Sequence, residues 1–252
     1  MSSSSTAVSI GQSAPRWAAL LRRMNNWLLY DLGGGPRPLK FAWIVNAQKA
    51  CTLPILALVM WFYADRTPAA TSTAAFVYLG LHGGYGLIWL LKAVAFPDPS
   101  WDVRITLPSS LVVAVSLGSY WSIGWLLISG TAAPDYPLDE RAWFCLCIVV
   151  CMLGAAIMLA ADAQKYFTLR VRRGLITDGM FRYVRHPNYL GEMMIYAALA
   201  LMVWHWFPVV LLAAIWSDLF AVNMVMKEVS MSRHPEWPAY KARTRWLLPG
   251  LL

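Results

Sequence analysis

Charge is scarce in this chain. Only 13% of its 252 residues are Asp, Glu, Lys or Arg, 59% are hydrophobic, and the mean hydropathy is +0.51. Soluble domains carry about a quarter charged residues, so this composition excludes a water-soluble globular fold and points to a polytopic membrane protein. Cysteine is sparse too: Cys51, Cys145, Cys147 and Cys151 lie inside apolar runs with no CxxC or Cys/His ligand spacing. That excludes a zinc site, leaves four small hydrophobes, and gives no reason to expect a metal. Internal repeats, heptad arrays and a separate soluble domain are absent from the pattern. Acidic residues number 13 against 21 Lys and Arg, a net charge of +8. The cations flank apolar runs, so lipid headgroups and orientation account for them, and nucleic-acid binding is set aside. Met1 to Pro15 is Ser-rich without an apolar core. A disordered start with no cleavable signal peptide is expected.

What is present is a series of apolar runs, each long enough to cross roughly 30 Å of hydrocarbon. They lie near Phe41 to Tyr63, Ala74 to Phe96, Leu107 to Gly130, Ala142 to Ala161, Tyr189 to Trp206 and Phe207 to Met226. The last two are joined by His205-Trp206-Phe207-Pro208, with room only for a tight turn. Ahead of them, Trp17 to Tyr30 places Trp17, Leu20, Leu21, Met24 and Leu28 on one side and Arg22, Arg23 and Asn26 on another, the pattern of an interfacial helix that Gly33-Gly34-Gly35-Pro36 ends. The expected fold is an all-α polytopic membrane bundle of about six transmembrane helices plus this N-terminal helix. Residues 1–40 form the start and interfacial helix, and 41–252 one membrane domain. The basic residues collect before the first span, in the loop before the fifth and in the tail, all on one side of such a bundle, so both termini are expected in the cytoplasm of a multi-pass protein.

The chemistry-bearing residues concentrate between Ala161 and Leu252. Asp162 closes the fourth span, and Lys165, Arg170, Arg172 and Arg173 follow, an array able to grip phosphates if the helix continues past the membrane. Arg182, Arg185 and His186 then precede an apolar segment that contains Glu192, and an ionisable group inside such a segment is a functional candidate. Asn188, Glu192 and Tyr196 recur at intervals of four, which directs an amide, a carboxylate and a phenol to one helix face. An amide and a carboxylate together can bind a carboxamide, or equally can join two helices. Asn46, Gln48, Lys49, His82, Tyr85, Lys92, Asp218 and Asn223 are further polar groups within spans, each open to either role.

Asp162-Ala-Gln-Lys165, Gly179-Met-Phe-Arg-Tyr, Arg185-His-Pro-Asn-Tyr-Leu-Gly-Glu192 and Trp237-Pro-Ala-Tyr-Lys-Ala-Arg-Thr-Arg-Trp-Leu-Leu-Pro249 together resemble the C-terminal region of the steroid 5α-reductase and sterol reductase superfamily. Tyr136-Pro-Leu-Asp139 is similar to a loop of those enzymes, and Leu81-His82-Gly-Gly-Tyr85 loosely resembles the region that supplies their ketone-binding tyrosine. The resemblance implies a membrane reductase that uses NADPH to reduce a carbon-carbon double bond in a steroid-like or other hydrophobic enone lipid. It implies that Asn188 and Glu192 orient the nicotinamide, with Asp162, Lys165, Arg170, Arg173, Arg182, Arg185, His186, Tyr189, Tyr240 and Arg243 around the ribose and phosphates. Tyr85, His82 and Glu192 are the candidates to polarise the substrate carbonyl.

Isoprenylcysteine and phospholipid methyltransferases, which use S-adenosylmethionine, share the Arg-His-Pro element and a Tyr-rich tail. A methyltransferase is therefore the alternative expectation, and a non-enzymatic membrane lipid-binding protein the second. After the final span the chain carries Lys227-Glu228 and Val229-Ser-Met-Ser-Arg233-His234, in place of the carboxylate pair usual in the methyltransferases and of the His- and Arg-rich stretch of the steroid 5α-reductases.

Overall fold

The computed structural model describes residues 13–250, and most of the expected disordered start lies outside the described residues. Helix α1 (Arg16–Asn26) runs into a π turn, Trp27–Asp31. Then follow α2 (Phe41–Tyr63), α3 (Thr73–Ala95), α4 (Leu107–Ile128), α5 (Glu140–Val171), α6 (Pro187–Val203), α7 (Trp206–Ile215), a second π turn (Trp216–Phe220), α8 (Ala221–Met231) and the short α9 (Trp237–Arg243). Two antiparallel two-residue strands, β1 (Leu39–Lys40) and β2 (Arg104–Ile105), tie the approach to α2 to the approach to α4. The chain is an all-α polytopic bundle of the kind membrane proteins adopt.

By length and composition, five helices among the described residues are suited to cross a membrane: α2, α3, α4, α5 and the continuous run Trp206–Met231. The fifth expected span is α6, which at 17 residues is shorter, about 26 Å at 1.5 Å per residue. It ends where Trp204 turns left-handed at φ 45°, and His205 Nδ1 accepts from the Phe207 amide to start α7. The hairpin is thus tighter than expected. The fourth span is longer, because α5 continues through Asp162, Lys165 and Arg170 to Val171.

α5 and α6 form the closest pair, antiparallel. A Cβ on Gly154 would stand 2.6 Å from the Gly191 carbonyl oxygen, and one on Gly191 2.5 Å from the Gly154 oxygen. Only glycine at both positions lets the backbones approach so near, a packing mode suited to a bilayer where apolar contact alone does not drive association. The same device brings α3 to α2, since a Cβ on Gly86 would meet the Lys49 carbonyl oxygen at 2.5 Å.

Polar contacts define the two ends of the bundle. At one end Lys92 of α3 pairs with Asp162 of α5, Lys165 with Asp98 beyond α3, Lys40 with Asp102, and Arg185 with Glu228 of α8. Also at this end, Arg22 donates to Asn223, and Asn25 Nδ2 to Asp218 Oδ1 at 3.2 Å, which docks α1 on α8 and the π turn before it. At the other end aromatic residues cap the bundle: Trp125 Nε1 donates to Tyr63, Tyr136 Oη to the Met202 carbonyl and Trp143 Nε1 to the Leu201 carbonyl. The long helices alternate between these ends, so both ends of the described chain lie at the basic one. Trp17, Leu20, Met24 and Trp27 stay exposed on α1, as an interfacial helix requires, while Trp61, Leu91 and Leu111 face outward from the spans.

Candidate functional site

α6 carries the site. As the spacing predicts, Asn188, Glu192 and Tyr196 follow one another along a single face, running from the basic end into the core. Tyr196 is 1% exposed and Glu192 partly exposed. Glu192 Oε1 accepts a 3.1 Å hydrogen bond from Tyr85 Oη of α3. The Tyr85 and Tyr196 rings meet edge to face at 5.4 Å, and Tyr196 stacks on Tyr120 of α4 at 4.2 Å. Two of the three catalytic candidates, Tyr85 and Glu192, are therefore in direct contact across helices that are far apart in sequence.

The third lies deeper. His82 sits one turn before Tyr85 on α3 and is 1% exposed; its Nδ1 hydrogen-bonds Tyr78 Oη at 3.1 Å, and its ring meets Tyr196 edge to face at 6.4 Å. It backs the tyrosines and has no contact with Glu192.

The group at the centre is Lys49, which the sequence set among the open polar positions. Its Nζ donates to Tyr196 Oη at 2.7 Å and lies 4.4 Å from the Tyr85 ring centroid, and the residue is 4% exposed. The available signal was a lysine in the middle of an apolar helix. Asn46, one turn earlier, accepts from Trp89 Nε1 at 3.1 Å, and Gln48 donates to the Leu117 carbonyl, so those two serve contacts between helices.

Towards the basic end, charged residues of α3, α5 and α8 succeed the core. Asp162 takes Lys92 at 2.7 Å, both side chains largely buried, and Lys165 takes Asp98 at 3.1 Å. Burial pushes the Asp98 carboxyl up, but the Lys165 ammonium and the Ser100 hydrogen bonds outweigh it and hold the group below its usual range. Lys227 Nζ stands 4.5 Å from the Tyr189 ring centroid. Asn188 is partly exposed and its side chain has no hydrogen-bond partner among the described residues, while Arg170, Arg173 and Arg182 are exposed. Arg170 contacts Tyr166, and Arg182 lies over the Tyr183 ring.

The remaining cofactor candidates form a clamp. Arg185 Nε binds Glu228, its Nη1 donates to the Thr244 carbonyl at 2.7 Å, and its amide donates to the Arg245 carbonyl at 2.9 Å. Tyr240 Oη donates to the Phe181 carbonyl at 2.8 Å, and Arg243 reaches the Thr177 carbonyl at 3.5 Å. His186 is packed between Tyr189 and Trp246, with Nε2 3.7 Å from Glu228, too long for a hydrogen bond. Burial holds the imidazole below its usual range despite Glu228, so it is neutral at pH 7. The Arg-His-Pro element and the closing Tyr-Lys-Ala-Arg-Thr-Arg-Trp element are two halves of one joint that straps the tail beside the mouth of the site.

The fold and site define a polytopic all-α membrane protein with ionisable groups buried in its core and a basic end. The model of the family described as "Protein of unknown function (DUF1295)" matches residues 110–245, more than half of the chain, and the chain belongs to that family. The matched region holds Glu192, Tyr196 and the clamp, whereas Lys49, His82 and Tyr85 precede it. No curated protein matches the chain.

Proposed function

We propose that this protein is a membrane-embedded reductase that uses NADPH to saturate the carbon-carbon double bond of an enone in a steroid-like or other hydrophobic lipid, with the cofactor entering at the basic, cytoplasmic end. The observation that carries the reading is the 3.1 Å hydrogen bond from Tyr85 to Glu192, which joins the candidate carbonyl-polarising phenol to the carboxylate of the candidate nicotinamide site.

The donor set suits such a cofactor. Asn188 has a side-chain amide with no partner among the described residues, one turn before Glu192, matching the donors and acceptors of a carboxamide. Arg170, Arg173 and Arg182 offer exposed cations to phosphates. Arg185 and Tyr240 contribute by holding the tail in place. NADPH would supply the hydride for the β-carbon, and the α-carbon would take its proton from water. As charge builds on the carbonyl oxygen, Tyr85 turns its hydroxyl from Glu192 to that oxygen, beside the buried rings of Tyr120, Tyr196 and Trp89. His82 supports these rings.

The discriminating experiment is the melting temperature of the purified protein with each cofactor. NADPH at 100 times its Kd would stabilise by about 2.7 kcal/mol. Stabilisation by S-adenosylmethionine and not by NADPH would replace this reading with the methyltransferase, and stabilisation by neither would favour a non-enzymatic lipid-binding role.

A further inference from the structure

Lys49 is the member of the buried core to which the reading above gives no task. An ammonium in the middle of a transmembrane helix is costly to bury unless it is paired, yet no carboxylate lies within 4 Å of this one among the described residues. Tyr196 Oη, accepting at 2.7 Å, and three further rings solvate it: Tyr85 at 4.4 Å, Trp89 at 5.2 Å and Tyr120 at 6.0 Å. Gly86 allows α3 to press directly on the Lys49 backbone, which fixes the height of the ammonium against Tyr85. The positive charge is thus held without a neutralising partner, beside the phenol that donates to Glu192.

We infer that Lys49 is a positioning residue that acts through Tyr85, its buried charge offsetting the field of Glu192 so that the Tyr85 hydroxyl becomes a stronger hydrogen-bond donor towards a substrate oxygen that gains negative charge. The inference rests on the reductase reading and gives its enone carbonyl a second, indirect source of polarisation. The oxygen presented to Tyr85 belongs to a conjugated carbonyl, because an ether or alcohol oxygen gains no charge that a distant ammonium could favour. Lys49 itself, 4% exposed behind the rings, touches no substrate. The charged and titratable groups facing this site are Glu192 and Tyr196 from α6, Tyr85, His82 and Lys92 from α3, and Tyr120 from α4.

The test needs neither substrate nor cofactor. A trifluorinated tyrosine is placed at position 85, where its more acidic phenol reports ionisation by fluorine NMR in detergent-solubilised protein. Lys49→Gln keeps a donor for Tyr196 and removes the charge, and Lys49→Met removes both. Each is expected to raise the ionisation midpoint by about one pH unit or more, while Lys49→Arg leaves it near the original. An unmoved midpoint in Lys49→Gln overturns the inference. So does a shift seen in Lys49→Met alone, because it would assign the effect to the lost contact with Tyr196. Exchange of a buried cation for a neutral residue of similar volume is commonly tolerated, and a preserved melting temperature confirms that each variant is folded. Failure of the reductase reading shows separately, as an unchanged melting temperature of the wild-type protein with NADPH.

Discussion

The clamp at the basic end and the core around Lys49 satisfy their charges in opposite ways. In the clamp, Arg185 meets the Glu228 carboxylate and two backbone carbonyls, Lys241 stands 3.9 Å from the same carboxylate, and His186 is buried neutral beside it. In the core, Lys49 meets a hydroxyl and aromatic faces, and Glu192 accepts from a phenol. A closed set of opposite charges and carbonyls holds chain segments together. A separated cation and carboxylate, linked only through tyrosines, can respond to charge that develops between them. The Arg-His-Pro motif thus joins the loop before α6 to the tail, and the inconspicuous transmembrane lysine is the group proposed to act on Tyr85.

Removal of one member of the clamp should break it outright. Arg185→Ala leaves Glu228 without its main partner, and the expected loss is about 3–5 kcal/mol of stability, read as a large fall in melting temperature. A variant that melts normally but fails to bind NADPH would move Arg185 from the clamp to the cofactor. In the core the expected loss is turnover: Glu192→Gln and Tyr85→Phe should each lower the rate per folded molecule about 100-fold, equivalent to about 2.7 kcal/mol, with little change in melting. Early melting with preserved turnover would make the pair a joint between α3 and α6. At the exposed margin, Arg182→Ala should weaken NADPH binding about tenfold and leave stability intact, since its side chain holds no other segment.

The smallest effect concerns pH. His186 is held below its ordinary value of 6.5 by burial, so folding favours the neutral imidazole. Its contribution is fully present above pH 6.5 and is lost as pH falls through the lower folded value, because the unfolded chain binds the proton first. Melting temperature should therefore decline below pH 6.5, and His186→Asn should flatten that part of the profile. An identical profile in the variant would place the acid sensitivity elsewhere.

Particular residues show how far the sequence was legible. The all-α membrane fold, the interfacial face of α1 and the shared face of Asn188, Glu192 and Tyr196 follow from helical period and hydropathy, which are local properties. The continuation of α5 to Val171 was stated as a condition, and the structure meets it. Lys49 was named without its role because its environment comes from α3, α4 and α6, and its hydrogen-bond partner is 147 residues away. Arg185 was named for its charge, which does not reveal that Glu228 and the Thr244 carbonyl, 43 and 59 residues away, engage it. Gly191, inside the same motif, answers to α5, since only the fold shows that Gly154 lies against it.

The central claim is that Glu192 and Tyr85 form the reaction site of an NADPH-dependent reductase. The most direct measurement follows deuterium from NADPH labelled on the nicotinamide into a steroid enone and a membrane lipid extract, by mass spectrometry, with the purified protein in detergent. The account predicts one deuterium per reduced molecule on the β-carbon with the wild-type chain, and about 100-fold less with Glu192→Gln. No deuterium in any lipid, or equal incorporation by wild type and Glu192→Gln, would contradict it.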